Sequence, residues 1–411
     1  MVVGAQATDV DLVVIGSGPG GYVAAIRAAE LGKKVTIIEK DNIGGVCLNI
    51  GCIPSKALIN IGHHYTDAME ESEQKNPFGL SVDNVKLDWN AAQAWKQDKV
   101  VNQLTGGVKM LLKKHKIDVI KGAAEFVDNE TLNVEQEDGF QLLHFNDVII
   151  ATGSRPIEIP AFAFGGRIVD STGALSLPEV PKHLIIVGGG VIGSELGGAY
   201  RMLGSKITIV EGLDHILNGF DKEMSDIIAK RVKSAGSEIY TSAMAKSATQ
   251  TDKDVTLTFE VDGKEQSVTG DYLLVSVGRR PNTDLLGLNN TDVKMTERGL
   301  IEVTDSYETN VPHIYAIGDV VPGPMLAHKA SFQAKVAAAA VAGAEDAVDL
   351  HIALPAVAYT TTELATVGET PDTVKDRMDT VKISKFPFAA NGRALSMNDT
   401  TGFLRLITET K

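Results

Sequence analysis

Only two of the 411 residues are cysteine and two are tryptophan, and aromatic side chains make up 5% of the chain. Two cysteines exclude a disulfide-stapled secreted scaffold. Long hydrophobic runs are missing too: the longest apolar stretch, from Val336 into Gly343, falls far short of the roughly 20 residues a bilayer span needs. Met1 to Asp11 carries two Asp and no basic residue, so no targeting signal is read there and a cytosolic protein is expected. Positive charge is outweighed, 39 Lys and Arg against 53 Asp and Glu for a formal net charge of −14, which disfavours nucleic-acid and anionic-membrane partners and suits a soluble protein with a basic one. What is plentiful is apolar material, 44%, and glycine, 40 residues. That composition excludes disorder and can fill two or three cored domains.

The first forty residues read as strand, turn, helix, strand. Leu12–Ile15 is a short apolar run, Gly16-Ser-Gly18-Pro-Gly20-Gly21 a cluster of breakers, Tyr22–Leu31 has helical spacing closed by Gly32, and Val35–Ile38 is a second strand ending at Glu39. The same text returns 172 residues later as Leu184–Val187, Gly188-Gly-Gly190-Val-Ile-Gly193, a helix to Leu203, and Ile207–Val210 ending at Glu211. A second echo pairs Val148–Pro156, leaving through Gly153, with Leu273–Pro281, leaving through Gly278. One further buried strand, Ile314–Ile317, ends in Gly318-Asp319, and from about Ala344 the text changes to short strand-like pieces. The expected architecture is α/β: two Rossmann-like dinucleotide-binding domains, the second inserted in the first, followed by an incomplete α+β dimerisation domain. The expected boundaries are 1–153 and 279–344 for the first domain, 154–278 for the second and 345–411 for the third.

Each Gly-x-Gly-x-x-Gly has a mechanical purpose. Its first glycine allows the tight turn, its second lets backbone approach a pyrophosphate, and its third packs helix against strand, with the diphosphate on the helix N-terminus. A bare match is weak, but here each has its preceding strand, following helix and terminal acid. Glu39 and Glu211 are expected to bind a ribose 2′-hydroxyl. A carboxylate at Glu211, with no Arg in Gly212–Ile216, favours NAD over NADP. Two such folds suggest two dinucleotides, one held permanently and one exchanged.

Between the first unit and the next helix lies Gly44-Gly-Val-Cys47-Leu-Asn-Ile-Gly-Cys52-Ile-Pro-Ser-Lys56. Buried structural thiols are the plain alternative. A zinc pair fits less well, because His63-His64 lacks the usual ligand spacing. Redox chemistry is favoured by placement: Gly51 permits a close bend, Pro54 suits a first helical turn, and a helix N-terminus near Lys56 would lower the Cys52 pKa.

The stretch Gly44–Leu58, with Gly18-Pro-Gly-Gly-Tyr22 before it and Thr309–Asp319 and Gly323-Pro-Met-Leu-Ala-His-Lys329 after it, resembles the dihydrolipoamide dehydrogenases among the flavin disulfide reductases. Met1-Val-Val-Gly4 looks like the form found in bacterial pyruvate dehydrogenase complexes. The resemblance covers the whole chain and implies FAD and NAD as cofactors, a homodimer, and a lipoyl-bearing acyltransferase of a 2-oxoacid dehydrogenase complex as partner. It implies that Gly16, Gly18, Gly21, Glu39, Gly153, Asp319 and Ala327 hold FAD, with Lys56 near flavin N5. Gly188, Gly190, Gly193, Glu211 and Gly278 would receive NAD, and Glu195 would pair with Lys56. Cys47 would be the thiol exchanging with lipoamide and Cys52 the thiolate against the flavin. Electrons would then pass in pairs from dihydrolipoamide through a Cys47–Cys52 disulfide and FAD to NAD.

Related reductases fit less well. A glutathione reductase should have basic residues where Glu211 stands, a mercuric reductase needs a further Cys pair, and thioredoxin reductases carry their pair in the other nucleotide domain. The family's base is a His–Glu pair near its C-terminus, supplied across the dimer, and this sequence reaches Lys411 without it. A truncated chain is therefore expected, with a non-catalytic FAD-binding component as the rival reading. His328 is a poor substitute base, and the other histidines, at 63, 64, 115, 144, 183, 215, 313 and 351, have no neighbouring acid pattern. Tyr359-Thr-Thr-Thr-Glu363 departs from the family, which usually has Pro before Glu, and is expected to affect loop geometry and little else. Lys113–Lys116 reads as the basic end of a helix begun near Asp88, interrupted by Gly106-Gly107. Trp89 and Trp95 are expected to pack locally, and the Ala-rich run from Ala334 reads as a core helix.

Overall fold

The computed structural model describes residues 7–73, 77–344 and 352–410. It divides into two compact units: Met1–Pro54, Trp95–Pro156 and Arg279–Ile352 form one, and Ser55–Ala94, Ile157–Gly278 and Ala353–Lys411 the other.

The first unit is built on a sheet whose parallel core runs Asp118–Lys121, Val35–Glu39, Thr8–Ile15, Gly139–Ile150 and Ile314–Ala316. Strand Gly139–Ile150 serves two partners in turn. Its first half pairs antiparallel with Thr131–Gln136, and its last residues, Val148–Ile150, pair in parallel with Ile314–Ala316. The continuous apolar runs of the sequence follow from burial of both faces. Val13 and Ile15 join one core with Phe126, Phe145 and Ile314, whereas Leu12 and Val14 join another with Ala24, Ala25, Ala28, Ala337 and Ala338. That second core explains the Ala-rich run, because helix Ala327–Val341 buries small side chains on the same side of the sheet as helix Pro19–Glu30.

The second unit has its own parallel sheet, in the order Glu238–Tyr240, Lys206–Val210, His183–Val187, Tyr272–Val275, Ile168–Val169. A three-stranded antiparallel meander, Met244–Gln250, Val255–Val261 and Lys264–Gly270, covers one face through Val255, Leu257 and Phe259. Helix Val191–Met202 covers the other, with Leu196, Ala199 and Tyr200 buried. Ala353–Lys411 contributes two hairpins, Ala356–Ala358 with Leu364–Thr366 and Val381–Pro387 with Phe403–Glu409.

Several expectations are changed by this packing. Segment 55–94 groups with the second unit because Leu58 and Ile59 enter its core and Trp89 packs on Tyr200, ring centroids 6.1 Å apart, while donating to the Leu177 carbonyl. Trp89 therefore has a distant partner, and Trp95 is 41% exposed. The two strand-end echoes pair with each other: Ser154–Pro156 runs antiparallel to Arg279–Pro281, which moves Ser154–Pro156 into the first unit. Gly106-Gly107 does not interrupt its helix, Asn102–Lys114. The irregular turn lies earlier, a π-helical segment at Lys96–Val101 following helix Trp89–Trp95. The basic terminus at Lys113 and Lys114 is as read.

Residues Gly45–Ser72 form, among the described residues, one stretch long and apolar enough by composition to cross a membrane, at a mean hydropathy of 1.2. Gly51, at φ −146° and ψ −112°, breaks it into helices Gly45–Ile50 and Cys52–Ser72, and the burial of Leu58 and Ile59 accounts for its apolar face.

Candidate active site

The two glycine turns have nearly the same geometry. Gly18 caps its helix at φ −68°, ψ −174°, and Gly190 caps its own at φ −66°, ψ −172°. Gly16 and Gly188 lie at φ 96° and 99°, in the left-handed region that disfavours a side chain. A Cβ at Gly21 would collide with the Gly16 carbonyl, and one at Gly193 with that of Gly188. By contrast, a Cβ at Gly18 would meet only the Gly45 Cα, at 4.0 Å, and one at Gly190 would meet nothing within 4 Å. Each turn thus keeps bare backbone and a helix N-terminus without a side-chain cap where a diphosphate fits.

The acids at the next strand ends do structural work there. Glu39 accepts from the Ser17 amide at 2.9 Å and from the Asp41 amide at 2.8 Å. Glu211 accepts from the Gly189 amide at 2.6 Å and from the Leu213 amide at 2.8 Å. Glu39 Oε2 also accepts from the Ser17 hydroxyl, so on Glu39 only Oε1 keeps a lone pair for a ribose hydroxyl, whereas both Glu211 oxygens keep one. Bracing the turn and binding a sugar are compatible.

In the first unit the expected FAD residues converge. The Gly16 turn abuts Ala151 and Thr152, next to Gly153, and a Cβ on Gly20 would touch Ile317 and Ala330. Ser331 donates to the Pro19 carbonyl, bringing the first turns of the helix that begins at Ala327 beside the same loop. Asp319 accepts from Ser154 Oγ at 2.6 Å, and that hydroxyl accepts from Arg279 Nε at 2.8 Å. Lys329, 3% exposed, donates to the Pro322 carbonyl. Burial pushes its ammonium below the usual lysine range, with Asp319 opposing the shift. In the second unit Ser276 donates to the Gly188 carbonyl at 2.9 Å, holding the segment that leads to Gly278 against the Gly188 turn.

The cysteine helices are fixed to the first turn by backbone. The Gly44 amide donates to the Ser17 carbonyl at 3.0 Å. A Cβ on Gly45 would stand 2.6 Å from the Gly18 Cα, so only glycine allows this approach. Two residues later Cys47 lies on helix Gly45–Ile50, and Cys52 opens helix Cys52–Ser72. Both are half-buried thiols in this structure. The Tyr22 hydroxyl is pushed up by burial and then by the charge of Cys47 and of Cys52. Tyr22 stood in the quoted Gly-Pro-Gly-Gly-Tyr text without a role.

Lys56, one helical turn after Cys52, donates to Glu195 Oε2 at 2.7 Å, the pair that the family resemblance implied. The segment Tyr359–Glu363, expected to affect only loop geometry, contributes directly. The Tyr359 amide donates to Glu195 Oε1 at 2.9 Å, and Lys56 Nζ lies 4.6 Å from the Tyr359 ring centroid. Three of the histidines expected to lack acids have them: His313 meets Asp147 at 3.1 Å and His144 meets Asp9 at 3.3 Å, both distant in sequence, while His215 meets Asp214, the residue directly before it, at 2.7 Å. Asp147 also binds Lys33. This cluster sits where strands Val35–Glu39 and Ile314–Ala316 begin, opposite the carboxyl ends at which such sheets bind ligands.

Residues 10–334 match the family described as pyridine nucleotide-disulphide oxidoreductase, and residues 354–411 match that family's dimerisation domain. The chain belongs to this family, the class that the paired nucleotide turns and cysteine helices define. Its relatives include the dihydrolipoyl dehydrogenases of Geobacillus stearothermophilus, 54% identical over 99% of this chain and 85% of that protein, and Bacillus subtilis, 52% identical over 99% and 86%. Similar solved structures include LpdA from Mycobacterium tuberculosis, 27% identical with a TM-score of 0.89 over 98% of this chain and 88% of that one. Another is the HOCl-induced flavoprotein disulfide reductase RclA from Escherichia coli, 30% identical with a TM-score of 0.84 over 97% and 86%. Within the family this chain falls with the dihydrolipoyl dehydrogenases, FAD-dependent and NAD-linked oxidoreductases.

Proposed function

We propose that this chain reoxidises the dihydrolipoyl group carried by the acyltransferase of a 2-oxoacid dehydrogenase complex, in the cytosol, with Cys47 and Cys52 as the reacting pair. The observation that carries this reading is the fastening of the cysteine helices to a dinucleotide turn through Gly44 and Gly45. A redox pair placed there borders whatever the turn holds.

Gly16, Gly18, Gly21 and Glu39 would hold the adenosine diphosphate half of FAD, with Gly153, Asp319 and Ala327 serving its ribityl and flavin end. Gly188, Gly190, Gly193, Glu211 and Gly278 would receive NAD. Bound FAD supplies two-electron transfer between a dithiol and a nicotinamide. The residues of the chain then have separate tasks. Cys47, on its own short helix, attacks or is attacked by the substrate sulfur. Starting from the Cys47–Cys52 disulfide, one dihydrolipoyl sulfur bonds to Cys47 and expels Cys52, which is favoured as a thiolate at a helix N-terminus. The second dihydrolipoyl sulfur then displaces Cys47, leaving oxidised lipoyl and two reduced cysteines whose electron pair bound FAD would accept. Lys56 supplies a fixed positive charge whose position Glu195 holds.

The test is NAD reduction with dihydrolipoamide by the purified holoenzyme, run beside NADH-dependent reduction of glutathione disulfide and Hg(II). Turnover with the lipoyl substrate alone, abolished in Cys47→Ser and Cys52→Ser, is expected. Retained lipoyl turnover in either variant, or a preference for glutathione disulfide or Hg(II), overturns the reading.

A further inference from the structure

We propose that Tyr359 is a positioning residue for Lys56, and that the chain segment following the second nucleotide fold thereby tunes the flavin. This rests on the reading above, in which Lys56 serves the flavin.

Three observations within the second unit carry it. First, both oxygens of Glu195 are engaged, Oε2 by Lys56 Nζ at 2.7 Å and Oε1 by the Tyr359 amide at 2.9 Å. The side chain of Glu195 is only 6% exposed, so this carboxylate has one orientation. Second, the ammonium of Lys56 stands over the face of Tyr359, 4.6 Å from its centroid, within the range of a cation–π contact. An ammonium has three donors. With one on Glu195 and one side against the ring, the direction left for a third is set, whereas a lysine held by a carboxylate alone could rotate about that single contact. Third, the loop carrying Tyr359 is fastened. Thr360, 3% exposed, donates to the Thr362 carbonyl, and Thr362 accepts from Arg231, which also pairs with Asp399 at 3.3 Å. A proline at 362 has no hydroxyl to accept from Arg231, so this wiring belongs to the Thr-Thr-Thr text of this chain.

A side-chain substitution at 359 keeps the amide bond to Glu195 and removes only the ring, which separates the two contacts. A cation near the flavin favours its anionic reduced form, so loss of positioning should leave the flavin harder to reduce. In Tyr359→Ala holoenzyme, the ratio of reduced to oxidised flavin at equilibrium with a reference dye should fall about threefold to tenfold, the span of a partly exposed to a partly desolvated cation–π contact. Tyr359→Phe, which keeps the ring face, should restore the wild-type ratio. Melting temperature and FAD content are measured on the same samples. An unchanged ratio in Tyr359→Ala, with or without a lower melting temperature, overturns the proposal, as does a Tyr359→Phe enzyme that behaves like Tyr359→Ala. Lys56→Met distinguishes the two levels. If it also leaves the ratio unmoved, the placement of Lys56 at the flavin is what fails; if it shifts the ratio while Tyr359→Ala does not, the role of Tyr359 fails alone.

Discussion

Replacing Gly45 by alanine tests whether the cysteine helices and the first nucleotide turn are one construction. Gly45 lies at φ 59°, where an L-residue other than glycine costs about 1–2 kcal/mol. The larger effect is steric. The added Cβ would stand 2.6 Å from the Gly18 Cα and 3.0 Å from the Gly18 nitrogen, where ordinary contacts begin at 3.4 Å. Both atoms are backbone, so no side chain can swing aside, and the helix or the turn must shift by several tenths of an ångström. A shifted turn no longer presents its amides to a diphosphate. Gly32→Ala is the matched control, because Gly32 lies at φ 94° with nothing within 4 Å of its Cβ position and incurs strain alone. Titration of apoprotein with FAD, read by quenching of flavin fluorescence, should show at least about tenfold weaker binding in Gly45→Ala, which is ~1.4 kcal/mol, and unchanged affinity in Gly32→Ala. Both should melt at lower temperature than the parent. Equal FAD affinity in the two variants would refute the argument that Gly45 is required by its approach to Gly18.

The remaining predictions concern the second unit. Glu211→Gln keeps one acceptor oxygen for two amides, those of Gly189 and Leu213, and loses a charge-assisted pair worth about 1.5–3 kcal/mol; KM for NAD should rise about tenfold or more, and an unchanged KM would remove Glu211 from the site. Tyr200→Phe leaves the fully buried Ala174 carbonyl without its donor; urea unfolding should show a loss of about 1–3 kcal/mol, and a loss below 0.5 kcal/mol (roughly the smallest hydrogen-bond contribution) would contradict the burial argument. His183 is held below the usual imidazole range, first by burial and then by Lys206. The unfolded chain therefore binds the proton more readily below pH ~6.5, so this residue's contribution is whole above that pH and shrinks as pH falls through it. His183→Gln should melt with a flatter pH dependence between pH 7 and 5 than the parent, and parallel profiles would contradict the assignment.

What the sequence made legible was local and periodic. Strands Leu12–Ile15 and Leu184–Val187, both turns, both helices and the acids at 39 and 211 follow from apolar runs, breakers and spacing, because each is decided within a few neighbouring residues. The pair Lys56–Glu195, 139 positions apart, was reached by resemblance and not by any local signal. Most of the misplaced features depend on long-range contacts. Trp89 was expected to pack locally, yet its partners are Tyr200 and Leu177. His313 seemed to lack an acid because it and Asp147 are brought together only by strand pairing, Val148 against Ile314, whereas the acid of His215, Asp214, stood directly before it and was overlooked. Gly106-Gly107 misled in a different way: glycine weakens a helix by only about 1 kcal/mol, and the buried stripe of Thr105, Val108 and Leu112 outweighs that cost.

The repeated nucleotide fold also shows how one local sequence can support two uses. The turns at Gly16 and Gly188 share their cap angles to within a few degrees, so the proposed difference between a retained and an exchanged dinucleotide would lie in what surrounds them. Around the first, Gly45 approaches Gly18, and Ile317 and Ala330 close on Gly20. Chain from two other parts of the sequence therefore walls that turn, and release of a ligand from it would require those walls to part. Around the second, Gly190 and Gly212 meet nothing within 4 Å of their Cβ positions, and Val191 and Leu213 are 36% and 49% exposed. A turn closed by Ile216 at Gly189 but open at Gly190, with apolar side chains at its rim, would suit a ligand that leaves after each turnover. The cysteine motif then has a structural consequence beyond its thiols: Gly44 and Gly45, which carry Cys47 to the first turn, are also part of what encloses it, so on the proposed assignment the same few residues would bring the redox pair to FAD and help retain it.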